Sequence, residues 1–297
     1  MTSLERVALQ YLRLDSLEDM KCIPRKELES RLDEATPSIL ERLSASEILQ
    51  HSRDVYTETA DEYAANPHTQ YVVDELIEFM ALLPEGACVL DVGCGTGRDA
   101  LFMSCPNTLF RASLMQREKN GKKTIEKFSP PQTSLRIIAL DGSDGMLEKA
   151  LEYLALHEDL VFAYTPLFIL GDMHDLHAQA EILGVGSLEG IWSCTALFTH
   201  TPQKLANESL RAVAEFLKSG GVFFASYTNG NVAGAHDKLL ASSTGRIKYF
   251  SQPNPEVVAD LARHHGLHLI QESVSDFEIG GKVVQRGLFC SQFFRKQ

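Results

Sequence analysis

Apolar residues in the first part of the chain recur at helical spacing. Leu4, Val7, Ala8, Tyr11 and Leu12 fall three or four apart. Leu28 to Leu49 repeats the habit, with a break expected at Pro37 and Ser38. Ser44 or Ser46 is placed to cap the helix that follows. Tyr71 to Leu83 puts Val72, Leu76, Phe79, Met80 and Leu83 on one side before Pro84 and Gly86 close it. Residues 1–82 therefore read as a helical N-terminal extension. From residue 83 the pattern changes to short apolar runs. Val89–Val92, Leu135–Leu140, Leu160–Leu170, Gly190–Phe198 and Val222–Tyr227 read as buried strands, and helical stretches separate them. A helix opened by Asp141–Leu147 and running to about His157, and another over Leu205–Leu217, follow their strands, the second expected to end on Lys218-Ser219-Gly220-Gly221 with a glycine cap. Leu267–Gln271 and Gly287–Phe294 supply final strands, and 230–243 reads as a loop able to cover a site. Strands alternating with helices predict a doubly wound α/β sheet, with 83–297 as its domain.

One turn in this pattern carries chemistry. Val89-Leu90 leads to Asp91, and glycine then falls at 93, 95 and 97 before a helix-compatible run. Glycine suits a turn that needs positive φ, or a backbone against which a ligand lies. The helix start adds free N–H groups and a positive dipole end. This spacing differs from the G-x-G-x-x-G of dinucleotide sites. It suits a nucleotide-like or carboxylate-bearing ligand, and ligands on such sheets bind at the carboxyl ends of the strands.

Later segments narrow that ligand. Asp141-Gly142-Ser143-Asp144-Gly145-Met146-Leu147 follows the second strand, Gly171-Asp172-Met173-His174-Asp175-Leu176 the third, and Glu189-Gly190-Ile191-Trp192 opens the fourth. With the glycine loop, their order resembles the class I S-adenosylmethionine (SAM)-dependent methyltransferases over residues 55–297. The resemblance implies a Rossmann-like seven-stranded sheet whose last two strands form an antiparallel hairpin. It implies SAM as cofactor and S-adenosylhomocysteine as product. Asp91, Gly93, Gly95 and Gly97 would form the cofactor loop. Asp141 would accept the ribose hydroxyls, Met146 would lie against the adenine, Asp172 would take its amino group, and Met173 would offer a backbone N–H. The end of the fourth strand would lie beside the methyl group, and Thr195 within it would contact the cofactor. Tyr56 and Tyr63, seven apart on one helical face, would belong to a lid, or else are core contacts. His200 lies one residue beyond where relatives carry a histidine. Its ordinary pKa suits proton removal near neutrality, so it is a catalytic candidate; hydrogen bonding to the loop backbone is the alternative.

Composition adds limits. The 297 residues are 44% hydrophobic with a net charge of −12, ordinary globular material without the basic field that nucleic acid or anionic lipid needs. Between the first and second strands lie roughly 30 surplus residues, at about 104–134. Six basic residues there (Arg111, Arg117, Lys119, Lys122, Lys123, Lys127) face two acidic ones, Glu118 and Glu126. The stretch reads as a solvated surface loop or as an anion- or partner-binding flap. Six scattered cysteines form no C-x-x-C pair, so neither a zinc nor a redox pair is suggested and a reducing compartment is expected. The histidines at 264, 265 and 268 and at 174 and 177 have no ligand pattern around them, so no metal is expected. The N-terminus is too polar for a signal peptide, and no run of 18 apolar residues occurs, so a cytoplasmic protein without membrane contact is expected. The expected reaction is methyl transfer to an O, N or S nucleophile of a small-molecule acceptor. The alternatives are a protein or RNA methyltransferase docking through the basic insertion, and a SAM-binding regulator without turnover.

Overall fold

The computed structural model describes residues 1–65, 73–107, 111, 117–119, 122–124, 133–234, 236–242, 245–279 and 282–297. Helices α1 (Ser3–Leu12), α2 (Leu17–Lys21), α3 (Arg25–Glu41), α4 (Ala45–Glu58), α5 (Ala60–Ala64) and α6 (Val73–Ala81) precede strand β1 (Cys88–Val92). After α7 (Arg98–Ser104) come a short hairpin, β2 (Arg117–Lys119) and β3 (Lys122–Thr124), then β4 (Arg136–Asp141), α8 (Asp144–Ala155) and β5 (Leu167–Leu170). Next are α9 (Ala180–Leu183), β6 (Leu188–Cys194), α10 (Leu197–His200), α11 (Ala206–Phe216) and β7 (Leu217–Thr228). The chain ends with α12 (Gly230–Ala233), β8 (Lys238–Ala241), β9 (Ile247–Phe250), α13 (Pro255–His264), β10 (Leu267–Ile279) and β11 (Lys282–Lys296). No helix among the described residues is long and apolar enough to cross a membrane.

The main sheet has seven strands in the order β10-β11-β7-β6-β1-β4-β5. Its five strands from β5 to β7 are parallel, and β11 runs antiparallel against β7 and β10. Order therefore reverses at β1, the switch point where a parallel sheet opens a crevice. Apolar residues fill both faces. Leu90, Ile191 and Phe223 pack with α11 and α13 on one side, and Val89, Trp192 and Phe224 pack with α6 and α7 on the other. Trp192 stacks on Phe224 at 3.9 Å and meets Phe79 at 5.2 Å.

The predicted N-terminal extension divides in two. Helix α6 belongs to the sheet's core. Helices α1 to α4 share a separate core with the β8–β9 hairpin, where Leu4, Leu32, Ile39 and Ile48 meet Leu239, Ile247 and Tyr249. The loop predicted at 230–243 is thus partly helix and strand, and it completes the N-terminal cap. Arg246 fixes the two pieces together through Glu5 at 2.5 Å and through Glu58. His51 lies between Thr2 Oγ1 and the Ile247 carbonyl, each 2.7 Å away.

Other boundaries differ for local reasons. Helix α3 runs through Pro37, because Leu28, Leu32 and Ile39 bury on one face and repay the lost N–H. The break falls at residues 42–44, where Ser44 and Glu47 form a capping box for α4. The tyrosine helix is interrupted at Thr59, which separates α4 from α5. Strand β6 stops at Cys194 rather than Phe198, since Thr195 takes a φ of 50° and α10 begins at Leu197. Helix α11 stops at Phe216, and Lys218–Gly221 opens β7 with a register shift opposite Leu188/Gly190. Of the helix predicted from Tyr71, the described part begins at Val73.

The basic insertion is also revised. Arg111 is fully buried and donates to the carbonyls of Phe102, Met103 and Thr133. It closes the C-terminal end of α7 and is unavailable to an outside anion. Lys127 lies outside the described residues.

Candidate functional site

The carboxyl ends of β1, β4, β5 and β6 open into a cavity of about 830 Å³. The cap roofs it: α4 sends Arg53 and Tyr56 inward, and the β8–β9 hairpin sends Lys248 and Phe250.

The glycine loop forms the floor. Gly93 has φ 70°, and its amide donates to the Leu140 carbonyl at 2.8 Å. A Cβ there would lie 2.3 Å from that of Ala196, so no other residue fits. Gly95 has φ 53°, and its nearest neighbour in the place of a Cβ is Tyr63 at 3.8 Å, leaving space for a ligand. Gly97 begins α7 but does not line the cavity; a Cβ would strike Phe168 at 2.9 Å. Its glycine serves packing.

Asp141, ending β4, accepts from the Gly95 amide at 2.8 Å and the Ser143 amide at 2.9 Å. Burial raises its pKa against these hydrogen bonds. Each carboxylate oxygen retains a lone pair for a further donor. Ser143 caps α8, holding Met146 against the cavity wall with 2% exposure. Two glycines of this turn let the cap approach. A Cβ on Gly145 would meet the Thr57 carbonyl at 2.6 Å, and one on Gly142 the Arg53 side chain at 3.3 Å.

Beneath the loop sit two ionisable groups without a complete set of described partners. Asp91 is buried, and its Oδ2 has no hydrogen-bond partner. Burial pushes its pKa well above the carboxylate range, reinforced by Asp99 and Asp141 and opposed by Arg98. Arg98 pairs with Asp99 at 2.6 Å, and Trp192 Nε1 donates to the same carboxylate at 3.0 Å. Arg98 Nη1 is buried with no partner. Asp91 and Arg98 both line the cavity.

The roof completes the site. Tyr56 and Tyr63 meet edge to face at 6.0 Å, and both line the cavity. Burial drives both phenols up, that of Tyr63 to about 12, so both stay neutral donors. Asp172 pairs with Arg53 and accepts from the His174 amide at 2.9 Å. Met173 lines the cavity beside Gly93. Thr195 lines it in a left-handed conformation, its amide donating to Ser226. Such strain in a residue other than glycine is typical of a functional turn. His200 stacks edgewise on Tyr56 at 4.9 Å and packs near Phe250. Burial lowers its pKa to about 4, so it is neutral near pH 7, and its Nδ1 has no partner.

All the candidates named in the sequence line the cavity except Gly97. Sequence reasoning missed Arg98, Arg53, His174 and Lys248. Arg98 had a signal, since it directly follows the loop where a ligand's charge would fall. Arg53 and Lys248 had none, because their positions depend on how the cap folds.

No protein-family model matches the chain, and no curated protein matches it. Solved structures do. The 1,6-didemethyltoxoflavin-N1-methyltransferase of Burkholderia thailandensis, holding 1,6-didemethyltoxoflavin and S-adenosylhomocysteine, is 15% identical over 86% of this chain and 91% of its own, with a TM-score of 0.56. The CcbJ methyltransferase of Streptomyces caelestis is 18% identical over 81% and 96%, at 0.51. A Haloferax volcanii protein solved with the Trm112 methyltransferase activator is 18% identical over 82% and 96%, also at 0.51. At these identities the likeness shows the fold, which is that of the class I SAM-dependent methyltransferases.

Proposed function

We propose that the cavity binds SAM and that the chain transfers its methyl group to an O, N or S nucleophile of a small-molecule acceptor. The observation that carries this reading is the pair of incomplete buried charges at the glycine loop. Asp91 Oδ2 lacks a donor and Arg98 Nη1 lacks an acceptor. An α-amino acid supplies both, an ammonium for the first and a carboxylate for the second. Unpaired buried charges are costly, so the site suits a zwitterionic ligand rather than a plain nucleotide. Asp141 at the end of β4, with lone pairs to spare, suits a ribose diol. Met146 and the open face of Gly95 suit the flat and sulfur-bearing parts of the same molecule.

When bound, SAM supplies a methyl group already activated as a sulfonium. The chain's task is then to align an acceptor and exclude water. Tyr56, Phe250 and the cap provide the enclosure. Neutral His200, with a free Nδ1, is a base placed to take an acceptor's proton where the nucleophile needs deprotonation. Enclosure by α4 and β9 favours a small acceptor over a protein or RNA chain, and the burial of Arg111 removes one charge from the surface that such a chain would need. A SAM-binding regulator would share every cofactor contact and differ only in lacking turnover.

Calorimetry with S-adenosylhomocysteine tests the reading. We expect saturable binding by the wild type. Asp91→Asn should weaken it by about tenfold or more, the scale of a charged hydrogen bond. Asp141→Ala should abolish detectable binding. No binding by the wild type, or unchanged affinity in both variants, sinks the assignment.

A further inference from the structure

The cavity's carboxylates share one origin. Its four lining aspartates, Asp91, Asp99, Asp141 and Asp172, all come from the ends of β1, β4 and β5 and the start of α7. The half beneath the cap is lined by Lys238, Lys248, His174 and His200 and by hydroxyls, amides and aromatic rings, with no carboxylate among its described lining residues.

Lys248 is the unusual member. It reaches in from β9 over the ring of Tyr56, its Nζ 4.9 Å from the centroid. Lys238 is within 3.7 Å of Asp33. Lys248 makes no ion pair with any described residue. Glu62, exposed on α5, is the carboxylate acting on it from a distance, while burial lowers its pKa. An ammonium drawn into an aromatic-walled space, with no described carboxylate in ion-pair contact, is a site suited to an anion.

Other polar atoms of the cavity are also unsatisfied among the described residues. Ser52 Oγ, Thr199 Oγ1, His174 Nε2 and His200 Nδ1 are buried, lack partners, and belong to cavity-lining residues. The tautomer of His174 follows from its neighbour. Thr201 donates its one hydroxyl proton to the Leu197 carbonyl, so it accepts from His174 Nδ1 at 3.3 Å. Nε2 therefore presents a lone pair. The space beneath the cap offers one ammonium outside any described ion pair, two imidazole acceptors and two hydroxyls.

Resting on the cofactor reading above, we propose that the methyl acceptor is an anionic small molecule, a carboxylate or phosphate ester, whose charged group seats on Lys248 while its hydroxyl or N–H groups face His200 and His174. A neutral acceptor would leave the ammonium unpaired. A cationic one would meet, among the described lining residues beside His174, only Asp172, which already pairs with Arg53.

Three phenols of one ring size test the charge preference on the full chain saturated with S-adenosylhomocysteine: 4-hydroxybenzoate, 4-hydroxybenzyl alcohol and tyramine. Ligand-observed NMR titration at neutral pH should show the benzoate binding about tenfold tighter than the alcohol, the scale of one charge-assisted contact, with tyramine weakest. Lys248→Met should erase the difference between benzoate and alcohol, and Lys248→Arg should restore it, with S-adenosylhomocysteine affinity within twofold of wild type in both. Equal binding of the three probes, tighter binding of tyramine, a preference that survives Lys248→Met, or no millimolar binding by any probe overturns the proposal. Failure of S-adenosylhomocysteine to bind would strike the cofactor reading alone, and the same titration without it then decides the charge preference.

Discussion

The floor and the roof of the cavity are built in opposite ways. The floor comes from short contiguous segments, each a strand end and the turn after it, and backbone amides help hold its carboxylates. Asp141 is held by the amides of Gly95 and Ser143, and Asp172 by that of His174. The roof is assembled from segments far apart in sequence and held by side chains. Glu5 meets Arg246, and His51 joins Thr2 to Ile247. A floor made from backbone can hold one ligand rigidly in an old geometry. A roof made from side chains can change its contents while keeping its place, and it is there that the acceptor is met.

The sharpest way to separate the two is a single methyl group on the floor. Gly93→Ala would put a Cβ against Ala196 in a left-handed conformation. We expect a loss of roughly 2–4 kcal/mol in urea unfolding and no measurable S-adenosylhomocysteine binding. Gly95→Ala, with open space above it, should keep most of its stability and still lose the ligand. If both variants bind like wild type, the loop is not a cofactor floor.

The same difference explains what could be read without coordinates. The alternation of strands and helices, the glycine loop, Asp141 and Asp172 follow from local patterns a few residues long, because turn chemistry and strand burial are local constraints. The cap was half legible. The periodicity of α1 and α4 showed helices, but β8 fell in the stretch read as loop, since a four-residue strand of mixed polarity such as Lys238–Ala241 acquires its burial from the helices packed on it. Pro37 misled for a related reason: tertiary packing overrode a local breaker. Lys248 gave no sign of its role, because an ammonium's meaning depends on whether a carboxylate stands near it.

Breaking the roof should leave the floor folded. Glu5 is fully buried, and Arg246 is its counter-ion, shared with Glu58. Arg246→Met strands that carboxylate and should cost on the order of 3 kcal/mol. We expect faster hydrogen exchange across α1, α4 and β9 with near-native protection in β1 and β4. Uniform loss of protection would mean that cap and sheet form one cooperative unit.

Acid should act on the two parts with opposite sign, by smaller amounts. In the roof and beneath it, burial lowers the pKa of His51, and those of His174 and His200 to about 4. Between about 4 and their ordinary value of 6.5 the unfolded chain binds more protons than the folded one, so stability falls as pH falls. Glu5 adds to this, because burial is outweighed by Arg246 and the Thr2 amide, which lower its pKa. On the floor, burial raises Asp91 and Asp141. The folded chain then holds the extra proton, and acid favours that region as pH falls through the raised values. Asp237, beside β8, is raised as well and offsets part of the roof's loss. From pH 7 to 5, protection of α4 and β9, corrected for intrinsic exchange, should fall about tenfold, the equivalent of one pKa unit, while β1 holds steady. His51→Gln, which carries no titrating proton, should shrink the fall in the roof. An equal pH response in β1 and β9 would show that the imidazoles and the buried aspartates do not divide the molecule as their surroundings require.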